Sequence, residues 1–258
     1  MNLLRYIVIV LSVLLSSEIA RSESLQMGVS VDNIPVESDF DGTELVIFGS
    51  IEGYEQAPLY RGEYDVVITV EGAREDILVR RKERVFGIWI NNDAREYKEV
   101  PSFYSVLSRN PLDDIADKKT LQEVGIGVDN LRVYYDPDHP FIFESESGIF
   151  SGALRRVRRQ KDLFAENVQG LEQLSPSLFR ATVYLPPNVP IGQHKVTSYL
   201  FRDGKLLATN ESGFRIQKAG LERFLYNLAH ENSFLYGIMA VLIAIATGWT
   251  ANLLFRKS

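Results

Sequence analysis

Apolar and polar positions alternate from the start of the region beyond residue 22. In "LQMGVSVDNIPV", Leu25, Met27, Val29 and Val31 alternate with Gln26, Gly28, Ser30 and Asp32, a period of two that predicts a strand with one buried face. After the turn-rich "ESDFDG" comes "TELVIFGSI", whose apolar Leu45–Phe48 stretch suits a strand covered on both faces. "YDVVITV" (Tyr64–Val70) and "EDILVRRKERVFGIWIN" (Glu75–Asn91) continue the series, with breaks expected at Glu71-Gly72 and at the charged Arg80–Arg84 cluster. Short strands at close spacing, joined by polar turns, point to an antiparallel sandwich.

The pattern then changes period. Asn110-Pro111 is expected to open a short helix, Asn110 as its cap and Pro111 in the first helical position, with Asp113 and Asp114 facing the helix dipole. Thr120 and Glu123 have capping-box spacing. Phe150, Leu154, Val157, Phe164, Val168 and Leu171 fall at helical intervals, so the expectation is a helical segment over 110–174. Beyond it Phe179, Ala181, Val183 and Leu185 alternate again, and Asp203-Gly204 is a two-residue hairpin signal between "YLFR" and "KLLA". Leu221, Phe224, Leu225 and Leu228 then predict a short amphipathic helix over 219–233, lying at a bilayer surface. The resulting layout is a strand-rich N-terminal domain over 23–109, the helical segment, and a C-terminal β block over 175–218, with one domain or two both open for the β parts.

From Phe234 to Phe255 no residue is charged. As a helix that run is about 33 Å long, enough to cross the ~30 Å apolar core of a bilayer. Tyr236 near one end, and Trp249 and Phe255 towards the other, suit the interface zones. Arg256 and Lys257 follow the run, so 256–258 is expected to be a cytoplasmic tail. At the other end, "MNLLRYIVIVLSVLLSSEIARSES" has basic Arg5, an apolar core over Tyr6–Leu15 and a small-x-small pattern at Ala20-Arg21-Ser22. It reads as a signal peptide over 1–22, placing the body in the periplasm and the anchor in the inner membrane. Retained as an anchor, the same segment gives the same side.

Net charge is −6, with 28 basic and 34 acidic residues. Setting aside Arg5, Arg21, Arg256, Lys257 and Glu18 leaves the exported part at about −9, which disfavours nucleic acid and bulk anionic lipid as partners. There is no cysteine. Disulfides, thiolate metal sites and thiol redox chemistry are therefore excluded, and the fold rests on core burial.

Several stretches taken together, "FDGTELVIFGSI", "RRKERVFGIWIN", "VPSFYSV", "LFRATVYLPPNVPIG" and "YLFRDGKLLA", resemble a family of transmembrane proteins found mainly in alphaproteobacteria. The resemblance covers nearly the whole chain. It implies a signal sequence, an exported region and one C-terminal span. The resemblance also implies encoding near permeases similar to sulfite or sulfonate exporters, and from that at most a transport-accessory role with an integral-membrane permease as partner. It implies no activity, cofactor or site residue.

Two basic clusters are the candidate sites. Arg80, Lys82 and Arg84 share one face of a strand, with Arg81 and Glu83 on the other, and Trp89 follows. Such a face can bind a sulfonate or carboxylate, and it equally suits a solvated edge strand protected by charge. Arg155, Arg156, Arg158 and Arg159 flank Leu154 and Val157 on the helical pattern, either as a contact for acidic partners or headgroups or as a charged face paired with body carboxylates. His139, His194 and His230 lack metal-ligand spacing. Asp136, Asp138, Glu144 and Glu146 read as a turn more readily than as a calcium or acid–base site. No nucleophile elbow and no phosphate-binding loop is present. The expectation is a mainly β, membrane-anchored, non-enzymatic accessory or binding module with no cofactor. An envelope hydrolase with a scattered site and a purely structural envelope protein stay open.

Overall fold

A computed structural model describes residues 23–54, 59, 63–132, 134–135 and 144–255. The signal-peptide reading over 1–22, the tail 256–258, Asp136, Asp138 and His139 lie outside the described residues, as do the side chains of Glu144 and Glu146.

The body is built on two sheets. The first has the order β1-β3-β11-β10, formed by β1 (Ser24–Val29), β3 (Thr43–Glu52), β11 (Leu178–Leu185) and β10 (Leu171–Gln173), and is antiparallel throughout. Its register sets Leu25 against Ile51, Met27 against Gly49, Phe179 against Gly49, and Ala181 against Ile47. Cross-strand partners share a face, so the alternating apolar positions of three strands merge into one inner surface. Glu44 and Phe48 point outward and are exposed.

The second sheet has the order β2-β13-β12-β4-β7-β9. Its strands are β2 (Asn33–Val36), β4 (Tyr64–Glu71), β7 (Tyr104–Ser108), β9 (Phe164–Val168), β12 (Gly192–Arg202) and β13 (Lys205–Lys218). Both edges are parallel, β2 to β13 and β9 to β7. Val66, Ile68 and Val70 pair with Leu200, Ser198 and Val196 on the face turned to the first sheet. There the Asn210 side-chain amide, opposite Ser198, donates to the Leu25 carbonyl at 3.0 Å.

The opposite face of β7 is covered by α1 (Leu112–Ile115) and α2 (Lys118–Val124). The Tyr104 hydroxyl donates to the Gly125 carbonyl and accepts from the Gly127 amide, each at 3.2 Å. Burial pushes that phenol well above the usual range, so it stays protonated. α2 is capped by Asp117, which accepts from the Thr120 amide at 2.9 Å, and it ends at Gly125 with φ 82°. Thr120 is thus the residue capped, not the cap, because Asp117 reaches the same free amides one turn earlier. Likewise α1 starts at Leu112 with Pro111 in the cap position and no side-chain cap.

A third, smaller sheet carries a long ribbon: β5 (Arg74–Val85), β6 (Ile88–Pro101) and the two-residue β8 (Tyr134–Tyr135). Arg80–Arg84 does not break the strand but lies inside β5. A two-stranded ribbon is wetted on both faces there, so charged side chains need no turn to reach water. The Glu71-Gly72 break is present: β4 ends at Glu71, and the Gly72 amide bonds to the Phe103 carbonyl at 2.8 Å.

One layout expectation changes and one open point closes. The segment 110–174 is not helical throughout: after α3 (Glu144–Gln160) the chain turns at Asp162 (φ 56°) and enters β9 and β10. Parallel strands need a crossover connection, and β7 reaches β9 through α1, α2 and α3. Phe164 and Leu171 are buried as strand residues. Nor do 23–109 and 175–218 make separate blocks, since β3 pairs with β11, β4 with β12 and β2 with β13. After β13, α4 (Gly220–Glu231) and α5 (Ser233–Phe255) follow, separated at Asn232 (φ −134°, ψ 53°).

Candidate functional site

Three features stand apart from the packed body: the C-terminal helix, the β5–β6 ribbon and an open cleft beside α1 and α2. Ser233–Asn252 is long and apolar enough to cross a membrane, and none of it is buried by the rest of the chain. A soluble core helix of this hydrophobicity would be covered. Its two threonines are satisfied internally, Thr247 donating to the Ile243 carbonyl at 2.7 Å and Thr250 to that of Ala246 at 2.9 Å. Both threonine hydroxyls thus keep a partner in an apolar medium. On α4, Leu228 is buried while Leu225 and Tyr226 are exposed, and His230 stacks on Tyr226 with ring centroids 4.1 Å apart.

The β5–β6 ribbon ends in a tight turn. Val85 pairs with Ile88, and Phe86 and Gly87 between them have φ of 50° and 86°. Both central residues with positive φ define the turn that best matches strand twist. Pairing of Glu83 with Ile90 and Arg84 with Trp89 sorts the side chains onto two faces. One carries Val85, Ile88 and Ile90; the other carries Arg80, Lys82, Arg84 and Trp89. Phe86 caps the tip. Every residue from Arg84 to Ile90 is exposed, Phe86 fully and Trp89 at 66%. Arg84 Nε donates to the Gly87 carbonyl at 3.4 Å, and Arg81 pairs with Glu83 at 2.7 Å. Among the described residues, Arg80 and Lys82 have no ion pair. The expected grouping of Arg80, Lys82 and Arg84 with Trp89 is present. The apolar tip carries no recognised turn signal in the sequence, since Phe is not a residue that two-residue hairpin turns favour in first place.

The arginines of α3 are placed differently. Arg158 bonds Glu75 at 2.5 Å and the Ser102 carbonyl at 3.4 Å. Arg159 pairs with Asp129 at 3.2 Å, with Glu166 at 3.9 Å. Arg155 donates to the Leu131 carbonyl at 3.0 Å, and burial lowers its pKa. These three tie the helix to the crossover segment, to β5 and to β9; Arg156 is exposed. The ribbon and helix meet at Phe150, a buried ring with the Arg81 guanidinium 5.9 Å and the Arg95 guanidinium 5.1 Å from its centroid.

The cleft holds about 400 Å³ and is lined by Asp113, Lys118, Asn130, Glu166 and Asn167 among others. Glu166 accepts from the Val128 amide at 2.5 Å, so it is engaged in closing the crossover. His194 is elsewhere: it is fully buried between β-strands, stacked on Phe214 at 5.0 Å, its Nδ1 set 3.2 Å from the Gly192 carbonyl. Burial lowers its pKa. Among the described residues no group of three His, Asp or Glu side chains could hold a metal ion.

No curated protein matches the sequence. Two solved structures share a limited likeness. Spo0M, the sporulation control protein of Bacillus subtilis, is 9% identical over 82% of this chain and 55% of that one, with a TM-score of 0.31. The N-terminal domain of the Streptococcus gordonii adhesin Sgo0707 is 10% identical over 78% and 33%, with a TM-score of 0.26. The chain thus spans about half and a third of those lengths, and such scores carry no argument about fold or function. The sequence itself is decisive: a family model described as "Putative transmembrane protein (Alph_Pro_TM)" matches residues 24–257, and the chain belongs to that family.

Proposed function

We propose that this protein is a non-enzymatic accessory or binding module, held at the periplasmic face of the inner membrane by α5 and serving an integral-membrane partner such as a permease. The observation that carries the reading is an uncharged, apolar helix of membrane-spanning length with none of its residues buried by a body that has a full apolar core of its own. Arg256 and Lys257 after the helix favour a cytoplasmic C-terminus, and the signal-like pattern over 1–22 favours export of the body. Anchoring confines the body beside membrane partners and raises effective concentration without a large interface. The carboxylates of the cleft support closure of the crossover more readily than acid–base chemistry, since Glu166 already holds Val128 and faces Arg159.

A pair of reporters fused after Ser258 tests the orientation: one that works only in the cytoplasm is expected to be active, one that needs export silent. Release of the intact protein by alkaline carbonate would overturn the anchor. In-membrane crosslinking is expected to return a multi-span protein; repeated capture of none overturns the accessory role.

A further inference from the structure

We propose that the tip of the β5–β6 ribbon is a second membrane contact, dipping Phe86 and its aliphatic neighbours into the interface of the bilayer that holds α5, while Arg80, Lys82 and Arg84 bind anionic phospholipid headgroups. The inference rests on the anchored reading above.

Three observations lead to it. The first is composition at the tip: Val85, Phe86, Ile88, Trp89 and Ile90 are all exposed on a ribbon with water on both sides. Aromatic and aliphatic side chains beside Arg and Lys have the chemistry of the zone between acyl chains and phosphates. The second is charge. Residues 80–90 hold four cations against one carboxylate in a chain whose net charge is −6. Along the strand Arg84 lies about 10 Å and Phe86 on the order of 15 Å beyond Arg81, both past the Debye length of about 8 Å at physiological salt, so they meet a surface with the ribbon's charge rather than the body's, with Lys82 and Arg80 following behind them. Phosphate takes cationic forks well, and Lys or Arg near an anionic leaflet is drawn to its surface potential.

The third is strain. Phe86 has φ 50° in a turn where the left-handed conformation suits Asn, Asp or Gly. A bulky ring placed there is fully exposed and touches nothing that would repay its conformation within the chain. A contact outside the chain accounts for its presence, and on the anchored reading the surface that the tether keeps beside the body is a bilayer.

The test uses the full chain, whose two tryptophans are Trp89 and Trp249. The W249F protein, in nanodiscs of phosphatidylethanolamine and phosphatidylglycerol, reports on the tip alone through quenching by bromine-labelled acyl chains. The expected result is quenching of Trp89 with a blue-shifted emission, loss of both in F86N, and reduction in R80Q/K82Q/R84Q and in high salt. F86N places Asn-Gly in the turn, so its melting temperature is expected to hold or rise, which separates lost contact from lost fold. Trp89 equally open to aqueous acrylamide in discs and in detergent overturns the inference, and leaves a protein partner for the tip. Quenching in phosphatidylcholine discs equal to that with phosphatidylglycerol overturns the headgroup assignment. The W89F protein, read through Trp249, separates the two readings. Trp249 quenched while Trp89 is not sinks the tip contact alone; Trp249 unquenched sinks the anchor and the tip contact with it.

Discussion

The His194 imidazole is buried against Phe214 and Phe103, and burial disfavours its charged form, so its pKa lies below the usual 6.5. The unfolded chain therefore binds a proton first as pH falls. Stability is full above the unfolded value and declines as pH drops below about 6.5, by at most about 1.4 kcal/mol per pH unit until the folded group also titrates. Denaturant midpoints measured between neutral pH and pH 5 are expected to fall for the wild type and to flatten in H194F; equal slopes would refute the assignment. Gly49 makes a second residue-level case. A Cβ there would overlap the Phe179 ring and stand 2.6 Å from the Gln26 carbonyl, so G49A is expected to lose about 1–3 kcal/mol in a urea melt. The inward sets Leu25–Met27–Val29 and Phe179–Ala181–Val183–Leu185 were legible because period two alone assigns a face. Gly49 was not, since its need for room comes from a ring more than a hundred positions away in the chain.

Two hairpin turns show how far local chemistry reaches at the scale of elements. Asp203-Gly204, with φ of 50° and 76°, joins β12 to β13 as turn preferences dictate. Phe86-Gly87 adopts the same kind of turn with the wrong first residue, and such mismatches concentrate where an element does something besides fold. The α3 pattern was read too far towards the C-terminus because Phe164, Val168 and Leu171 continue a helical interval by coincidence. Their role as strands depends on the free edge of β7, which no local window contains. α5, by contrast, was fully legible, since a span is defined by its own side chains. Replacing Ile243 near its middle by Arg is expected to cost about 3–4 kcal/mol of insertion free energy. The measurable result is a larger carbonate-extractable fraction of I243R, and unchanged extraction would contradict a bilayer around that residue.

Pairing across the whole molecule decides how the body unfolds. Ile47 lies against Ala181 and Val67 against Tyr199, so the centre of each sheet joins strands from either side of the helical crossover. A sequence pattern marks each of these strands but carries nothing about which distant strand completes it, and hence whether the two β blocks form one domain or two stays open in the sequence, while the strand pairing interleaves them. One shared core implies one cooperative transition. The ribbon beyond Arg81 is outside that core, with few buried contacts and strand bonds open to water, so it belongs to the least stable part of the body. Native-state hydrogen exchange on the detergent-solubilised protein is therefore expected to show amides of β3, β11, β4 and β12 exchanging together, through global opening. Amides of 82–90 should exchange orders of magnitude sooner. Separate exchange free energies for the β3–β11 and β4–β12 pairs would mean that the two sheets unfold independently. The rapid local opening, if seen, is also what a tip poised to adapt to a lipid surface requires, because a rigid wedge would not follow the fluctuating headgroups it has to grip.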